Sequence, residues 1–257
     1  MKRRCVLAIG GLDPGGGAGI LADARAIARA GAYACAATTL LTVQSTRGVR
    51  TVTPLPAREV IAECKEVLAV QDVGAIKVGA LGSEENVRRV GALLASHPHL
   101  PSVVDTVMLP TRGRARLLAE RGAELLRARL LPHATLVTMN AAEAAALTGQ
   151  RVTNAADAER AARALDLRAV LVKGGHLDDD DAVDVLVAAG RTHRLRAKRL
   201  PLRAPVHGAG CTLASLIATR LAQGDPLLTA VRASKRMHHR ALADAADVGG
   251  PMRVLFA

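Results

Sequence analysis

Short apolar runs alternate along this chain with longer stretches in which apolar residues recur every three or four positions. Apolar runs bounded by turn formers read as buried strands, and the three-to-four spacing reads as amphipathic helix. This pattern predicts strands at Cys5–Ile9, Cys35–Val43, Ala75–Val78, Ser102–Asp105, Leu136–Thr138 and Ala169–Lys173. Helices are predicted at Ala18–Ala30 (closed by Gly31), Ala57–Val70, Glu84–Ala95, Ala115–Leu131, after Asn140, and at Ala155–Leu165. Val183–Ala188 and Arg194–Leu200 pattern as antiparallel strands, and Thr212–Gln223 and Leu227–Ala245 as two helices divided by Gly224-Asp225-Pro226. Strand-then-helix alternation implies an α/β fold with a mostly parallel sheet covered on both faces. No linker, repeat or low-complexity segment interrupts residues 1–257, so a single domain is expected. Ligands of such sheets sit beyond the carboxyl ends of the strands. The loops after Ile9, Val43, Val78, Val104, Thr138 and Lys173 are therefore where chemistry is expected.

Composition narrows the ligand. Half of the 257 residues are hydrophobic but only 1% are aromatic, so a bound ring must be gripped by aliphatic side chains and backbone. A net charge of +12 raises nucleic-acid binding as a function. The basic residues are scattered over every predicted helix, however, and the two dense patches, Arg191–Arg199 and Lys235–Arg240, lack the interleaved aromatics of a single-strand binder. A positive field serves an anionic substrate equally well, and no nucleic-acid partner is expected. The four cysteines are widely spaced with no C-x-x-C pair, which points to neither a zinc site nor a disulfide framework and fits a reducing cytoplasm. No signal peptide is recognisable, and no apolar stretch approaches the roughly 20 residues of a membrane span.

Four loops carry candidate chemistry. Gly10-Gly11-Leu12-Asp13-Pro14-Gly15-Gly16-Gly17-Ala18-Gly19 follows a strand and opens a helix; it is either a tight turn or a place where backbone approaches a ligand. It fits neither the dinucleotide fingerprint nor a Walker-type loop. His207-Gly208-Ala209-Gly210-Cys211-Thr212 leads into a helix whose N-terminal N–H groups form a natural anion site. A cysteine there is expected to have its thiolate favoured and could take a proton from a hydroxyl, unless it is simply a small buried side chain. Lys173 ends a strand, within reach of a phosphate or merely solvated. Asp105, Asn140 and Glu143 offer oxygens suited to hydrated Mg²⁺, although Asn140 and Glu143 also read as a helix cap with a first-turn acid. Gln44 offers both a donor and an acceptor to a ring edge. Asp178–Asp181 reads as a solvated turn, and His238 as a surface residue.

Taken together, the segments Gly10–Asp23, Gln44–Val49, Lys77–Leu81, Asp105–Leu109, Asn140–Leu147, Lys173–Asp178 and His207–Thr212 resemble the hydroxymethylpyrimidine and phosphomethylpyrimidine kinases of thiamine synthesis, within the ribokinase-like superfamily. The resemblance implies a three-layer ribokinase-like sandwich, a phosphotransferase using ATP and Mg²⁺, and a homodimer. It implies Cys211 as catalytic base, Gly208, Ala209 and Gly210 as the phosphoryl cradle, and Lys173 on the ATP phosphates. Asp105, Asn140 and Glu143 would organise Mg²⁺ and its waters; Gln44 would bond the aminopyrimidine, with Gly11 and Val107 lining its pocket. The chain departs from the family pattern at Pro205-Val206, at Ala209 and Ala80, and in the loop Thr111–Ala115, where Arg112 and Arg114 stand in place of a usual Lys and Asp. A pyridoxine or pyridoxal kinase on the same scaffold, and a non-catalytic pyrimidine-binding protein, are the alternatives.

Overall fold

The computed structural model describes residues 4–108, 117–118 and 121–256. In chain order the elements are β1 (Cys5–Leu12), α1 (Gly19–Arg29), β2 (Tyr33–Ser45), β3 (Gly48–Pro54), α2 (Ala57–Val70), β4 (Val73–Val78), α3 (Glu84–Ser96), β5 (Ser102–Asp105) and α4 (Gly122–Arg129). They continue with β6 (Leu136–Met139), α5 (Ala141–Thr148), α6 (Ala155–Ala164), β7 (Ala169–Val172), β8 (Ala182–Ala188), β9 (Arg191–Ala197), β10 (Val206–His207), α7 (Ala209–Ala222), α8 (Leu227–Ala243) and β11 (Arg253–Val254). A nine-stranded sheet runs β3-β2-β1-β4-β5-β6-β7-β8-β9. Six adjacent strands, β2, β1, β4, β5, β6 and β7, are mutually parallel; β3 joins β2 antiparallel at one edge, and β8 and β9 follow β7 at the other, each antiparallel to its neighbour.

Because strand side chains alternate between faces, each inner strand feeds two separate cores. Leu7, Ile9, Ile76, Val78, Val104 and Val137 face one layer, into which α2 to α6 send residues such as Val60, Val90, Leu126, Ala144 and Ala158. Val6, Ala8, Ala75, Val103, Leu136 and Leu171 face the other, packed by Ile27 of α1, Leu213 and Ile217 of α7, and Val231 of α8. Helices on both faces of a mostly parallel sheet make the expected three-layer α/β sandwich.

The differences from expectation have physical reasons. The segment after Gln44 is not a loop: β2 extends to Ser45 and turns directly into the edge strand β3, whose Val-Arg-Thr-Val-Thr alternation is too exposed for an apolar run to reveal it. Strand β9 starts at Arg191 rather than Arg194; as the other edge strand it buries only Leu195, so apolar content did not mark it. The predicted helix Ala115–Leu131 begins only at Gly122, and Leu117 and Leu118 form a bend. The loop Thr111–Ala115, with Arg112 and Arg114, lies outside the described residues. Strands β10 and β11 were not foreseen; there Arg253 N–H donates to Pro205 O at 2.9 Å, so the unusual Pro205-Val206 pair anchors the C-terminal segment.

Candidate active site

The alternation that builds the cores also sets a polar row on one face of the sheet. Following Ala75, Val103, Leu136 and Leu171 by two positions brings Lys77, Asp105, Thr138 and Lys173 to the same face at the carboxyl ends of four adjacent strands. Asp105 pairs in register with Thr138 and accepts its hydroxyl proton at 2.8 Å. Lys173 follows the last residue of β7, where sequence reasoning kept it in the strand, and its Nζ lies 2.6 Å from Asp105 Oδ1. The ammonium is thus tied to Asp105 rather than solvated.

Helix α7 brings its N-terminus over this row, beginning at Ala209, three residues earlier than the apolar spacing indicated. Gly208 caps it with φ +75°, and a Cβ there would fall 1.9 Å from Gly17 O, so only glycine permits the approach of the two glycine-rich turns. A Cβ at Gly210 would lie 3.0 Å from Lys173 Nζ and 3.3 Å from Asp105 Oδ2, which shows how closely the turn covers the charged row. The N–H groups of Ala209, Gly210 and Cys211 have no acceptor within the helix, leaving donors for an anion.

A cleft of about 1180 Å³ extends from this turn. Its lining includes Gly11, Leu40, Gln44, Ala80 and Val107, and also Asn140, Glu143, Lys173, Lys235 and His238. All of the predicted site residues border this one cleft: Cys211, Gln44, Gly11, Val107, Lys173, Gly208, Ala209, Gly210, Asp105, Asn140 and Glu143. Asn140 and Glu143 also form a capping box on α5: Asn140 Oδ1 accepts Glu143 N–H at 2.9 Å, and Glu143 Oε2 accepts Asn140 N–H at 2.8 Å. The cap reading of these two residues therefore holds, and it leaves Glu143 facing the cleft beside Asp105 and Lys173.

The electrostatics correct one expectation. Burial pushes the Cys211 thiol up to about 11, against the pull of the Lys77 ammonium and the Gly19 N–H, whereas the helix N-terminus alone led us to expect a lowered value. Burial likewise lifts the Glu143 carboxyl to about 7; Lys173 opposes this and the Asp105 charge adds to it. Asp105 itself stays below the usual carboxylate range, because Lys173 and Lys77 outweigh its burial.

Several functional-site neighbours were missed from sequence. His207 Nε2 lies 2.8 Å from Asp13 Oδ2 and 2.8 Å from the Gln44 amide, so one buried ring joins the first glycine loop to the proposed ring reader. Asp13 in turn accepts from Gly15 and Ala18 N–H, both at 2.9 Å. Burial opposes its charge, but His207 and these donors hold it below its ordinary value. Asp184 accepts Gly174 N–H at 2.7 Å and pairs with Lys235 at 2.8 Å, clamping the turn after Lys173 against α8. His238 is half-buried rather than at the surface: burial pushes its ring down to about 4, and its Nε2 is enclosed at the cleft with no hydrogen-bond partner among the described residues. Asp179 is not simply solvated, since it accepts Ala155 N–H at the start of α6. The signal was present in part: Asp23 interrupts the apolar stripe Ile20, Ala26, Ile27, and Lys77 interrupts a buried strand.

An open α/β sheet with two lysines at its strand ends, under a glycine-rich helix N-terminus that carries a half-buried cysteine, is the arrangement of a ribokinase-like small-molecule kinase. Pyridoxal kinase from Staphylococcus aureus, in complex with AMP-PCP and pyridoxal, superposes with a TM-score of 0.89 at 28% identity, covering 99% of this chain and 93% of that one. Phosphomethylpyrimidine kinase from Clostridium difficile 630 superposes at 0.80 with 32% identity, covering 93% and 100%. Hydroxymethylpyrimidine/phosphomethylpyrimidine kinase of Streptomyces coelicolor is 43% identical over 248 residues, 95% of this chain and 91% of that protein. Residues 13–254 match the sequence model of phosphomethylpyrimidine kinase. The chain belongs to the phosphomethylpyrimidine kinase family.

Proposed function

We propose that this chain transfers the γ-phosphoryl of ATP to the hydroxyl of 4-amino-5-hydroxymethyl-2-methylpyrimidine, and then phosphorylates the resulting monophosphate, giving the pyrimidine diphosphate for thiamine synthesis. The observation that carries the reading is the convergence, in one cleft, of the Gly208–Gly210 turn, Lys173 and Cys211 with Gln44. The substrate ring lies between Gly11, Val107 and the Gln44 amide, in keeping with a cleft that, among the described residues, is lined by no Phe, Tyr or Trp. Its hydroxyl meets Cys211, whose thiolate form takes the hydroxyl proton as the oxygen bonds to phosphorus and the bond to ADP breaks. The N–H groups of Ala209, Gly210 and Cys211, with Lys173, face the charge that develops on the phosphoryl oxygens. Most of the rate comes from this fixed geometry, since phosphoryl transfer asks for little covalent chemistry from the protein.

The donor set fits Mg²⁺ held mainly through water and phosphate. Asp105 and Glu143 are both buried and both line the cleft, Glu143 feels the charge of Asp105, and among the described residues no cluster forms a closed metal cage. Asp105 and Glu143 would hold the ion, with Asn140 fixing Glu143 through the cap; bound Mg²⁺ neutralises phosphate charge.

The second reading, a pyridoxal kinase, is favoured by the closer backbone match to that enzyme, 0.89 against 0.80. Backbone likeness does not choose a substrate, and the sequence identity runs the other way. Assaying both alcohols side by side separates the two: better turnover of pyridoxal sinks the pyrimidine assignment. Cys211→Ala is expected to abolish phosphorylation nearly completely while pyrimidine binding persists; wild-type turnover would remove Cys211 from the base role. We further propose a single-domain, cytoplasmic homodimer. Among the described residues no helix is long and apolar enough to cross a membrane, and Leu41 and Val43 on β2 are exposed apolar residues that a second copy would cover.

A further inference from the structure

Beside Cys211 lies a charged pair that the reaction as described does not use. Lys77 and Asp23 are both 0% exposed, and Lys77 Nζ is 2.7 Å from Asp23 Oδ2. Asp23 Oδ1 accepts the Ser215 hydroxyl at 2.8 Å. Ser215 stands one helical turn after Cys211 on α7, so the two share a face. The Lys77 stem curls back over Gly79, where a Cβ would fall 2.8 Å from Nζ. A buried ion pair is weak support for stability, since apolar residues of equal volume often do as well. Packing alone does not account for a lysine at the end of a buried strand under the cleft.

We propose that Lys77, held in place by Asp23, is a positioning residue for proton transfer, its fixed ammonium stabilising the thiolate form of Cys211. The charged groups facing the sulfur are Lys77 from β4, Asp23 from α1, Asp105 from β5 and Lys173 after β7, together with the Gly19 N–H. Burial is the largest influence and opposes the thiolate; among the charges Lys77 acts most strongly and favours it, and Asp23 and Asp105 oppose it less. Burial also works against the Lys77 ammonium, but Asp23, Cys211 and Asp105 outweigh it and keep Lys77 charged. Asp23 therefore does two opposed things: it fixes the ammonium, and it takes back part of the ammonium's effect on the thiol. The catalytic part of the proposal rests on Cys211 as the proton acceptor.

That opposition gives a test by sign. The rate of Cys211 alkylation by iodoacetamide is followed between about pH 6 and 10, with the modified peptide identified by mass, because only the thiolate reacts. At about pH 8, Asp23→Asn is expected to speed alkylation by about threefold and Lys77→Met, which removes the stronger of the two charges, to slow it by about tenfold, shifts of about half and one pKa unit in opposite directions. The double variant, which removes both charges, falls between wild type and Lys77→Met. If Lys77→Met does not fold, Asp23→Asn and the double variant still lie on opposite sides of wild type. Shifts of the same sign, or none, overturn the proposal. The acid limb of the kcat/KM profile is expected to move with the thiol. Opposed alkylation shifts with an unmoved profile would leave Lys77 tuning the thiol but overturn its catalytic role, and an active Cys211→Ala variant would assign that failure to the base reading.

Discussion

Glu143 makes the protein's stability depend on pH in a direction opposite to that of a paired carboxylate. The residue is 7% exposed, and burial lifts its carboxyl from 4.5 to about 7. The unfolded chain loses this proton near pH 4.5, while the folded chain keeps it until about pH 7. Between those values the folded state binds the extra proton, so the stabilisation is fully present below about pH 4.5 and is lost as the pH rises through about 7. Each pKa unit corresponds to about 1.4 kcal/mol, which sets a ceiling of about 3 kcal/mol for the whole window. Glu143→Gln keeps an acceptor for the Asn140 N–H and the Thr106 hydroxyl, which now reach Oε2 at 2.8 and 3.3 Å, but cannot ionise. Thermal unfolding of both proteins, without nucleotide or divalent ion, is the assay. The variant is expected to match wild type near pH 5 and to exceed it near pH 8 by about 1–3 kcal/mol, or about 2–10 °C in Tm. Added Mg²⁺ at pH 8 is expected to stabilise wild type and not the variant, and the variant is expected to lose most of its kinase activity. Melting curves that run parallel from pH 5 to 8 would refute the reasoning.

The remaining predictions address the other walls of the cleft. Gly210→Ala places a methyl 3.0 Å from Lys173 Nζ and is expected to lower kcat by about a hundredfold with Tm little changed; an unaffected kcat would remove the turn from the phosphoryl cradle. Asp13→Asn weakens the His207 contact that abuts Gln44 and is expected to raise the pyrimidine KM by about tenfold, with kcat affected less, as steady-state kinetics would show. Asp184→Ala leaves the buried Lys235 ammonium without its counter-charge, so denaturant unfolding should register a loss of about 3–5 kcal/mol, recovered only in part in Asp184→Leu/Lys235→Met because the Gly174 N–H still lacks its acceptor. Light scattering at micromolar concentration is expected to give the mass of two copies, and Val43→Glu the mass of one.

The strand–helix alternation made the fold legible because β1, β4, β5, β6 and β7 are buried on both faces and therefore read as nearly continuous apolar runs. The edge strands β3 and β9 were blurred for the complementary reason: only one side of each is covered, and β9 hides a single leucine among arginines. For the site, the glycines and Cys211 were legible because a turn into a helix N-terminus is a local event, written within six residues. Asp13, His207 and Gln44 are separated by up to 194 residues and meet only in the folded chain, so nothing in their spacing marks them. The thiol fails in the same way. Local structure, a helix N-terminus, argues for a low pKa; burial by α1, β4 and β5 is non-local and reverses it. What sequence does offer against this reversal is the misplaced polar residue. A lysine within Val-Gly-Ala-Ile-Lys-Val and an aspartate within the apolar stripe of α1 each contradict the pattern around them. Two such contradictions on different elements are resolved most cheaply by meeting, and Lys77 and Asp23 do meet, beside the sulfur whose charge needs them.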